Sequence, residues 1–517
     1  MRVTPSSVFI LVVVMAALLQ VGASASVRAG SDHGGNAKRL DATVLSSRST
    51  DLRVPRNMAS FSVEVMSPLR MIIVDAHTGA VRASYLEMLN FLGGVASPDG
   101  GIAGQRLGPN LRIGGNSADE TWYAPNATGV QPPFGKGYVV SATDIAAFAH
   151  VKAWGGTLTV DLSLRNATDP DNAMAYAAAV HTALSADDIM NFEIGNEPEL
   201  FVRNGYRADP FTFWDWEGQW ALYAHALVHD VLAGAAHMIQ GAVFCCGMWN
   251  GYLPAYVANY TQSLSTISHH FYPMSGASAT IEKLLAPHAV DLFQFRDLAH
   301  ACNDQGVPFV IGEGNSAYDG GKKGVSDAFA STLWGLDLLF EAARNGIRRF
   351  NFHGGPGGAY TPIDTEQFSY AYARPLFYAM WAFTDATSAD AALLQVNYNN
   401  TNEENVKVWA TSHVNRTTVV VIHKRPWDLG GEKVLVNLDV SAVAKAGDHV
   451  HVRVLTAPAI NATSGLTFGG LTFDGSSTGR PQGTPVVHTR LVDAGGRLQL
   501  HLDPLHALVA DFFPASA

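Results

Sequence analysis

The stretch MNFEIGNEPEL (190–200) runs from a short apolar segment straight into a polar turn carrying a carboxylate, Glu197, and then a proline. Working outward, the same texture recurs at FSVEVM (61–66), NLRIGGNS (110–117), TLTVDLSL (157–164), AVFCCG (242–247), ISHHFY (267–272), PFVIGE (308–313) and RRFNFHGG (348–355), eight segments in all. Between them lie amphipathic helix candidates. VSDAFASTLWGLDLLFEAARNG (325–346) has apolar residues three and four apart and stops at a glycine. Eight near-continuous apolar strands alternating with helices are the pattern of an α/β fold, the parallel (β/α)8 TIM barrel, whose strands are covered on both sides. Polar residues gather at the C-terminal ends of the strands, the face on which such barrels carry their chemistry.

Beyond about Thr387 the texture changes to NVKVWATSHV (405–414), TTVVVIHKR (417–425), KVLVNLDV (433–440), HVHVRVL (449–455), PVVHTRLV (485–492), RLQLHL (497–502) and LHALVADFF (505–513). Alternation and intervening turns predict a C-terminal antiparallel β-sandwich over 387–517, after a barrel over 57–386. Residues 26–56 read as a polar leader with one strand around Asp41–Leu45. Before it, Arg2, the apolar run VFILVVVMAALL (8–19) and Ala23-Ser24-Ala25 read as a secretory signal peptide over 1–25. That run is too short to span a bilayer comfortably, and no later stretch replaces it, so a soluble, secreted chain without a membrane span is expected.

The 517 residues suffice for a barrel of ~250 residues and a second domain. The balance of 34 Lys+Arg against 45 Asp+Glu gives −11, with no dense basic stretch, which argues against nucleic acid as a partner. Six Asn-x-Thr sequons, at Asn126, Asn166, Asn259, Asn399, Asn415 and Asn461, fit passage through a glycosylating pathway. Cys245, Cys246 and Cys302 leave at least one thiol unpaired, with at most one bridge expected, to Cys302. No His/Asp/Glu cluster has metal-ligand spacing, and no cofactor is expected.

Glu197 and Glu313 each end an apolar strand, the fourth and the seventh, on the same rim. Hydrolysing a glycosidic bond with retention needs two such carboxyls roughly 5–5.5 Å apart, one protonated and one ionised. Asn196 suits a sugar 2-hydroxyl, which places the general acid at Glu197, and Gly312 and Gly314 let the backbone at Glu313, the nucleophile, approach a ligand. Either motif alone is equally well a plain strand-to-helix turn or a surface carboxylate; their joint placement favours chemistry.

On RIGGNSADETWY (112–123), NFEIGNEPEL (191–200), SHHFYP (268–273) and GEGNSAYDGGKKGVSDAF (312–329), the chain resembles the clan A barrel glycosidases and, within them, family 79, the β-glucuronidases and heparanases. The resemblance spans nearly the whole mature chain and implies a leader strand added to the sandwich. It implies that Tyr272 holds Glu313 ionised, and that Glu64 and Asn116 bind sugar hydroxyls. It further implies that Tyr318 and Gly320, just past the nucleophile, and Tyr360, after strand eight, hold a substrate carboxylate. Heparanases have glycine where this chain has Asp319, an awkward neighbour for a uronate that Lys322 and Lys323 could offset.

His269, His270 and His353 sit near strand ends, where packing or hydrogen bonding is the ordinary role. Among Trp122, Trp214, Trp216 and Trp249, the pair Trp214 and Trp216 is expected to be partly exposed and fit to stack on sugars. The expected activity is removal of β-linked glucuronic acid from glycans or glycoconjugates. Three alternatives stand beside it: an endo-acting heparanase-like enzyme, disfavoured by the acidic balance; a clan A hydrolase of a neutral sugar; and a carbohydrate-binding glycoprotein without catalysis. No removable linker interrupts the barrel, which predicts single-chain maturation.

Overall fold

The computed structural model describes residues 38–65, 72–75, 78–96, 108–135, 137–184, 187–388, 391–399, 405–425 and 431–514; the expected signal peptide lies outside them. A long first strand, β1 (Lys38–Arg53), precedes the barrel. The barrel strands are β2 (Ala59–Glu64), β3 (Asn110–Gly114), β4 (Thr157–Leu162), β5 (Ile189–Ile194), β6 (Ile239–Phe244), β7 (Leu264–Phe271), β8 (Phe309–Gly314) and β9 (Phe350–Gly354). They close in chain order into an eight-stranded parallel barrel, with β9 pairing back to β2. All eight expected segments are therefore barrel strands. Four run buried end to end, as in NLRIG and IQGAVF, and each of the others has a single half-buried residue, because helices cover the outside while side chains fill the inside.

The filling is unusually polar. Thr159 donates to Asn191 (2.5 Å), Asn191 to Gln240 (3.3 Å), Gln240 to Glu193 (2.5 Å), and the Arg112 Nε to Glu193 (2.5 Å), so a paired column climbs the barrel axis toward the C-terminal rim. Buried polar groups are tolerable when each has its partner, and such a column fixes strand register where apolar layers would permit slippage.

Helix α1 (Phe329–Arg344) starts four residues later than its apolar period suggests. Its first N–H groups, at Phe329 and Ala330, donate to the carbonyls of Ala462 (2.8 Å) and Ile460 (3.0 Å), so a loop of the C-terminal region caps the helix. Every residue of α1 before Arg344 is buried, because the helix lies between the barrel and the C-terminal sheet. Phe340 stacks on Trp409 at 5.4 Å, and Asp337, fully buried, takes the Trp409 Nε1–H (2.9 Å) and the Lys424 ammonium (2.6 Å).

The C-terminal strands β10 (Ala392–Tyr398), β11 (Val406–Ser412), β12 (Thr417–His423), β13 (Val434–Asp439), β14 (His449–Thr456), β15 (Arg497–Leu502) and β16 (Ala507–Phe513) join β1 and four strands of two to four residues in one connected, mostly antiparallel sheet. Strand β1 is antiparallel to β10 and parallel to β13, the single parallel pairing in that sheet among the described residues. It is far longer than its sequence signal, because register shifts near Val44–Arg48 and Arg48–Arg53 let it bend while it keeps pairing.

The cysteines correct an expectation. The bridge joins the neighbours Cys245 and Cys246, and Cys302 is free and buried. Cys245 and Cys246 follow the C-terminal end of β6, whereas Cys302 lies in the last turn of the helix Phe293–Asn303 that leads into the start of β8, at the opposite end of the barrel.

Candidate active site

Glu197 follows β5 in a tight turn, and Glu313 lies near the end of β8. Both reach the C-terminal mouth, where one carboxylate oxygen of each and a ring nitrogen of His270 lie within 4.8 Å of one another. Glu313 is 6 % exposed and has a partner on each oxygen, the Tyr272 hydroxyl on Oε1 (2.9 Å) and the Arg112 Nη1 on Oε2 (2.7 Å). His353 adds its Nδ1 at 3.7 Å. Burial pushes the Glu313 pKa up, but His353, His270, Arg112 and Tyr272 together outweigh it and hold the carboxyl below the usual carboxylate range. Glu197 is only partly buried, and its Oε1 meets the His270 Nδ1 at 2.7 Å.

The remaining expected residues surround this pair. Asn196 is buried; its amide oxygen accepts from the Arg112 Nη2 (2.9 Å), and its Nδ2 reaches the exposed Asn116 at 3.5 Å. Glu64 closes β2 and accepts from the Ser117 N–H (2.8 Å) and hydroxyl (2.5 Å), while its other oxygen faces the His353 Nε2 at 3.5 Å. Burial raises the Glu64 pKa, and His353 and Ser117 bring it below the ordinary value. Gly115, at φ +78°, is required here, since a Cβ would come within 2.7 Å of the Glu64 carboxylate.

Tyr272, which bonds Glu313, lies 6.5 Å, centroid to centroid, from both Tyr318 and Tyr360. Tyr318 is exposed and Tyr360 is buried. The turn bearing Tyr318 and Gly320 is stitched to its neighbours: Tyr318 N–H to Met274 O (3.0 Å), Gly276 N–H to Tyr318 O (2.9 Å) and Ala359 N–H to Gly320 O (3.1 Å). Asp319 sits at φ +62°, a conformation that favours glycine but that Asp tolerates better than most residues. Lys322 does not face it freely, because its ammonium donates to the Ala279 carbonyl at 2.8 Å.

Two readings are corrected. Trp216 is fully buried among Phe213, Phe244 and Tyr256; only Trp214, 62 % exposed, is available to stack on a ligand, edge-on to Tyr252 at 5.6 Å. Gly312 and Gly314 serve packing rather than ligand approach: a Cβ on Gly314 would lie 2.6 Å from the Phe271 carbonyl, and one on Gly312 would strike Ser268. His353 takes the hydrogen-bonding role expected of it, with the Ser62 hydroxyl 2.9 Å from its Nδ1. Its ring lies between Glu64 and Glu313, and although burial disfavours its cation, those carboxylates raise its pKa.

Arg112 went unassigned in the sequence reading. It is fully buried and bonds Glu193, Asp161 (3.3 Å), Asn196 and Glu313 at once, joining the axial column to the mouth. Its signal was present as one charge inside each of three apolar strands, Arg112, Asp161 and Glu193. Among the described residues, Glu197, His270 and Glu313 alone have metal-ligand spacing. A cation there would compete with the Arg112 guanidinium already on Glu313, so the trio is better suited to proton and sugar chemistry.

A parallel barrel whose mouth holds an ionised, doubly supported carboxylate opposite a second one defines a glycoside hydrolase. The family description "Glycosyl hydrolase family 79, N-terminal domain" matches residues 221–340, and "Glycosyl hydrolase family 79 C-terminal beta domain" matches 377–509. The chain belongs to glycoside hydrolase family 79. A β-glucuronidase of Aspergillus niger is 24% identical over 411 residues, covering 71% of this chain and 75% of that one. A heparanase of Gallus gallus is 25% identical over 279 residues, 48% of this chain and 50% of the relative. In fold, the chain is similar to a 4-O-α-L-rhamnosyl-β-D-glucuronidase of Fusarium oxysporum, with TM-score 0.73 at 19% identity, covering 90% of this chain and 99% of that one. It is also similar to a family 51 arabinofuranosidase of Xanthomonas axonopodis pv. citri, with TM-score 0.62 at 13% identity, covering 92% and 99%.

Proposed function

We propose that the chain is a secreted, retaining hydrolase that removes β-linked glucuronic acid, with Glu313 as nucleophile and Glu197 as acid and base. The observation that carries this reading is the closeness of the two carboxylates. One oxygen of each lies within 4.8 Å of one of the other, on the scale of the roughly 5–5.5 Å of a pair that attacks directly rather than the roughly 6.5–9.5 Å of an inverting pair. In the first step Glu313 bonds to the anomeric carbon while Glu197 gives its proton to the leaving oxygen. In the second, Glu197 takes a proton from water, the water oxygen replaces Glu313 on the sugar, and both carboxyls return to their starting states.

The β-glucuronidase relatives and the phenol cluster support a uronic acid as substrate. Tyr318 and Tyr360 offer hydroxyl donors, and the turn at Gly320 offers backbone amides, which together suit a carboxylate. Glu64, Asn116 and Asn196 would take the sugar hydroxyls, and Trp214 would pack on a ring of the leaving group. Secretion is supported by the N-terminal apolar run and by the exposure of all six sequon asparagines. Among the described residues, no helix is long and apolar enough to cross a membrane.

The test is hydrolysis of a chromogenic β-glucuronide with the product anomer followed by NMR. The β-anomer should appear first and the α-anomer only by later mutarotation; an α-anomer as first product would refute retention. Glu197→Ala should lose 10²–10⁴-fold, roughly, in kcat. That loss should be smallest for nitrophenyl and largest for alkyl leaving groups, which need the proton; an equal loss on both would remove Glu197 as acid. Tyr318→Phe should cost about tenfold in KM for a glucuronide, the scale of one hydrogen bond to a charged group, and leave a β-glucoside unaffected. An unchanged KM on the glucuronide would take Tyr318 out of carboxylate recognition.

A further inference from the structure

The turn that carries Glu197 has a backbone that L residues avoid. Glu197 lies at φ +51°, and the neighbouring end of β6 has Ala242 at +69° and Val243 at +54°. Each such residue costs on the order of 1–2 kcal/mol, and conformations of this kind persist only where their surroundings over-determine them. The main chain supplies one tie, from the Glu197 N–H to the Val243 carbonyl at 3.0 Å.

Two buried carboxylates with no part in the chemistry above supply the rest. Before the turn, Asp119, 1 % exposed, accepts the N–H of Asn196 (2.9 Å) and of Leu164 (2.8 Å). After it, Glu199, 7 % exposed, accepts the N–H of Cys245 (3.2 Å) and of Cys246 (3.3 Å), directly beyond the strained Ala242–Val243 pair. Each side chain thus meets two converging donors. At Asp119 the two donors fall on different oxygens, so an amide would present its NH2 group to one of them, whereas at Glu199 both fall on Oε1.

Neither acid has a cation in ion-pair contact among the described residues. Arg207 and Arg165 act on Asp119 from farther away, and Asp161 lies close enough to be affected by it; Glu199 is surrounded by Glu197 and His270. Burial accordingly pushes Asp119 up to about 6 and Glu199 up to about 7.

We propose that Asp119 and Glu199 are positioning residues that clamp the Glu197 turn from its two sides and set the orientation from which Glu197 gives and takes its proton. The proposal rests on Glu197 being that acid, so Glu197→Ala is the control: if it hydrolysed an alkyl β-glucuronide like wild type, the reaction assignment itself would fall, whatever the clamp does. A misplacement near 1 Å costs on the order of 10²-fold in rate. Asp119→Ala and Glu199→Ala should therefore lower kcat by roughly 10–100-fold with little change in KM, and more on an alkyl than on a nitrophenyl glucuronide.

Asp119→Asn and Glu199→Gln keep one acceptor and remove the charge. They should recover most of kcat while moving a limb of the pH–kcat profile, which a merely structural role would leave in place. They also guard against the Ala variants failing to fold: in that case the amide pair, at wild-type melting temperature, must still show the moved limb. Folded variants with wild-type kcat, leaving-group dependence and pH profile would overturn the proposal.

Discussion

Glu313→Ala is expected to stop turnover of a β-glucuronide, with kcat falling on the order of 10⁴–10⁶-fold, the scale on which removing a covalent nucleophile acts in other hydrolases. The other two carboxylates described at the mouth are already engaged. Glu197 is turned toward His270, and Glu64 is engaged by Ser117 and His353. The substitution also leaves the Arg112 Nη1 and the Tyr272 hydroxyl without the acceptor they share, so some stability will be lost with the activity. Glu313→Gln keeps one acceptor, for the Arg112 Nη1, and its NH2 can donate to the Tyr272 hydroxyl, so it serves as the folded comparison. Kinetics on both variants, with thermal melts beside them, check the assignment; a folded Glu313→Ala protein turning over at near wild-type rate would end it.

Arg112→Met is expected to be the most destabilising single change near the site. The methionine fills the volume but strands Glu193, Asp161 and Glu313 in a dry barrel, and removing one partner of a buried ion pair costs about 3–5 kcal/mol. The pH dependence should change as well. The Glu313 pKa is depressed in the fold, so its contribution to stability is present above the unfolded carboxyl value and lost as pH falls. Without Arg112 that depression shrinks, so the acid-side fall in stability should flatten and the acid limb of the pH–rate profile should move upward. Melting curves and rates between pH 3 and 7, roughly the range over which carboxyls titrate, test this. An unchanged melting temperature with an unmoved acid limb would show that Arg112 supports neither the fold nor Glu313.

The barrel was legible because parallel strands buried on both faces leave uninterrupted apolar runs, and the two carboxylates because each closes such a run. What lay hidden is the inward-facing chemistry of the strands. Arg112 reads as one charged residue in NLRIG, and only the barrel shows that Asp161 and Glu193, on β4 and β5, point at it. Trp216 was misplaced by weighing its acidic neighbours over its period: Phe213, Trp216, Trp220 and Tyr223 recur three and four apart and are all buried, while Trp214 falls off that stripe. The role of His353 depends on Glu64 and Glu313 arriving from two other strands, which no local pattern displays. The length of β1 was missed for a related reason, since its pairing rests on partners more than 300 residues away.

That last feature bears on how the chain is made. Synthesis delivers β1 before the other described strands, yet its pairing partner β10 begins 339 positions after Arg53, about 20–70 s later at 5–20 residues per second. Its second partner, β13, comes later still. Until then the nascent strand has two open edges, the kind of surface that seeks other chains, while the barrel assembles beside it. The earliest of the described strands is thus among the last to be paired, and the C-terminal sheet cannot be completed as a separate piece: without residues 38–53 it has a gap between β10 and β13.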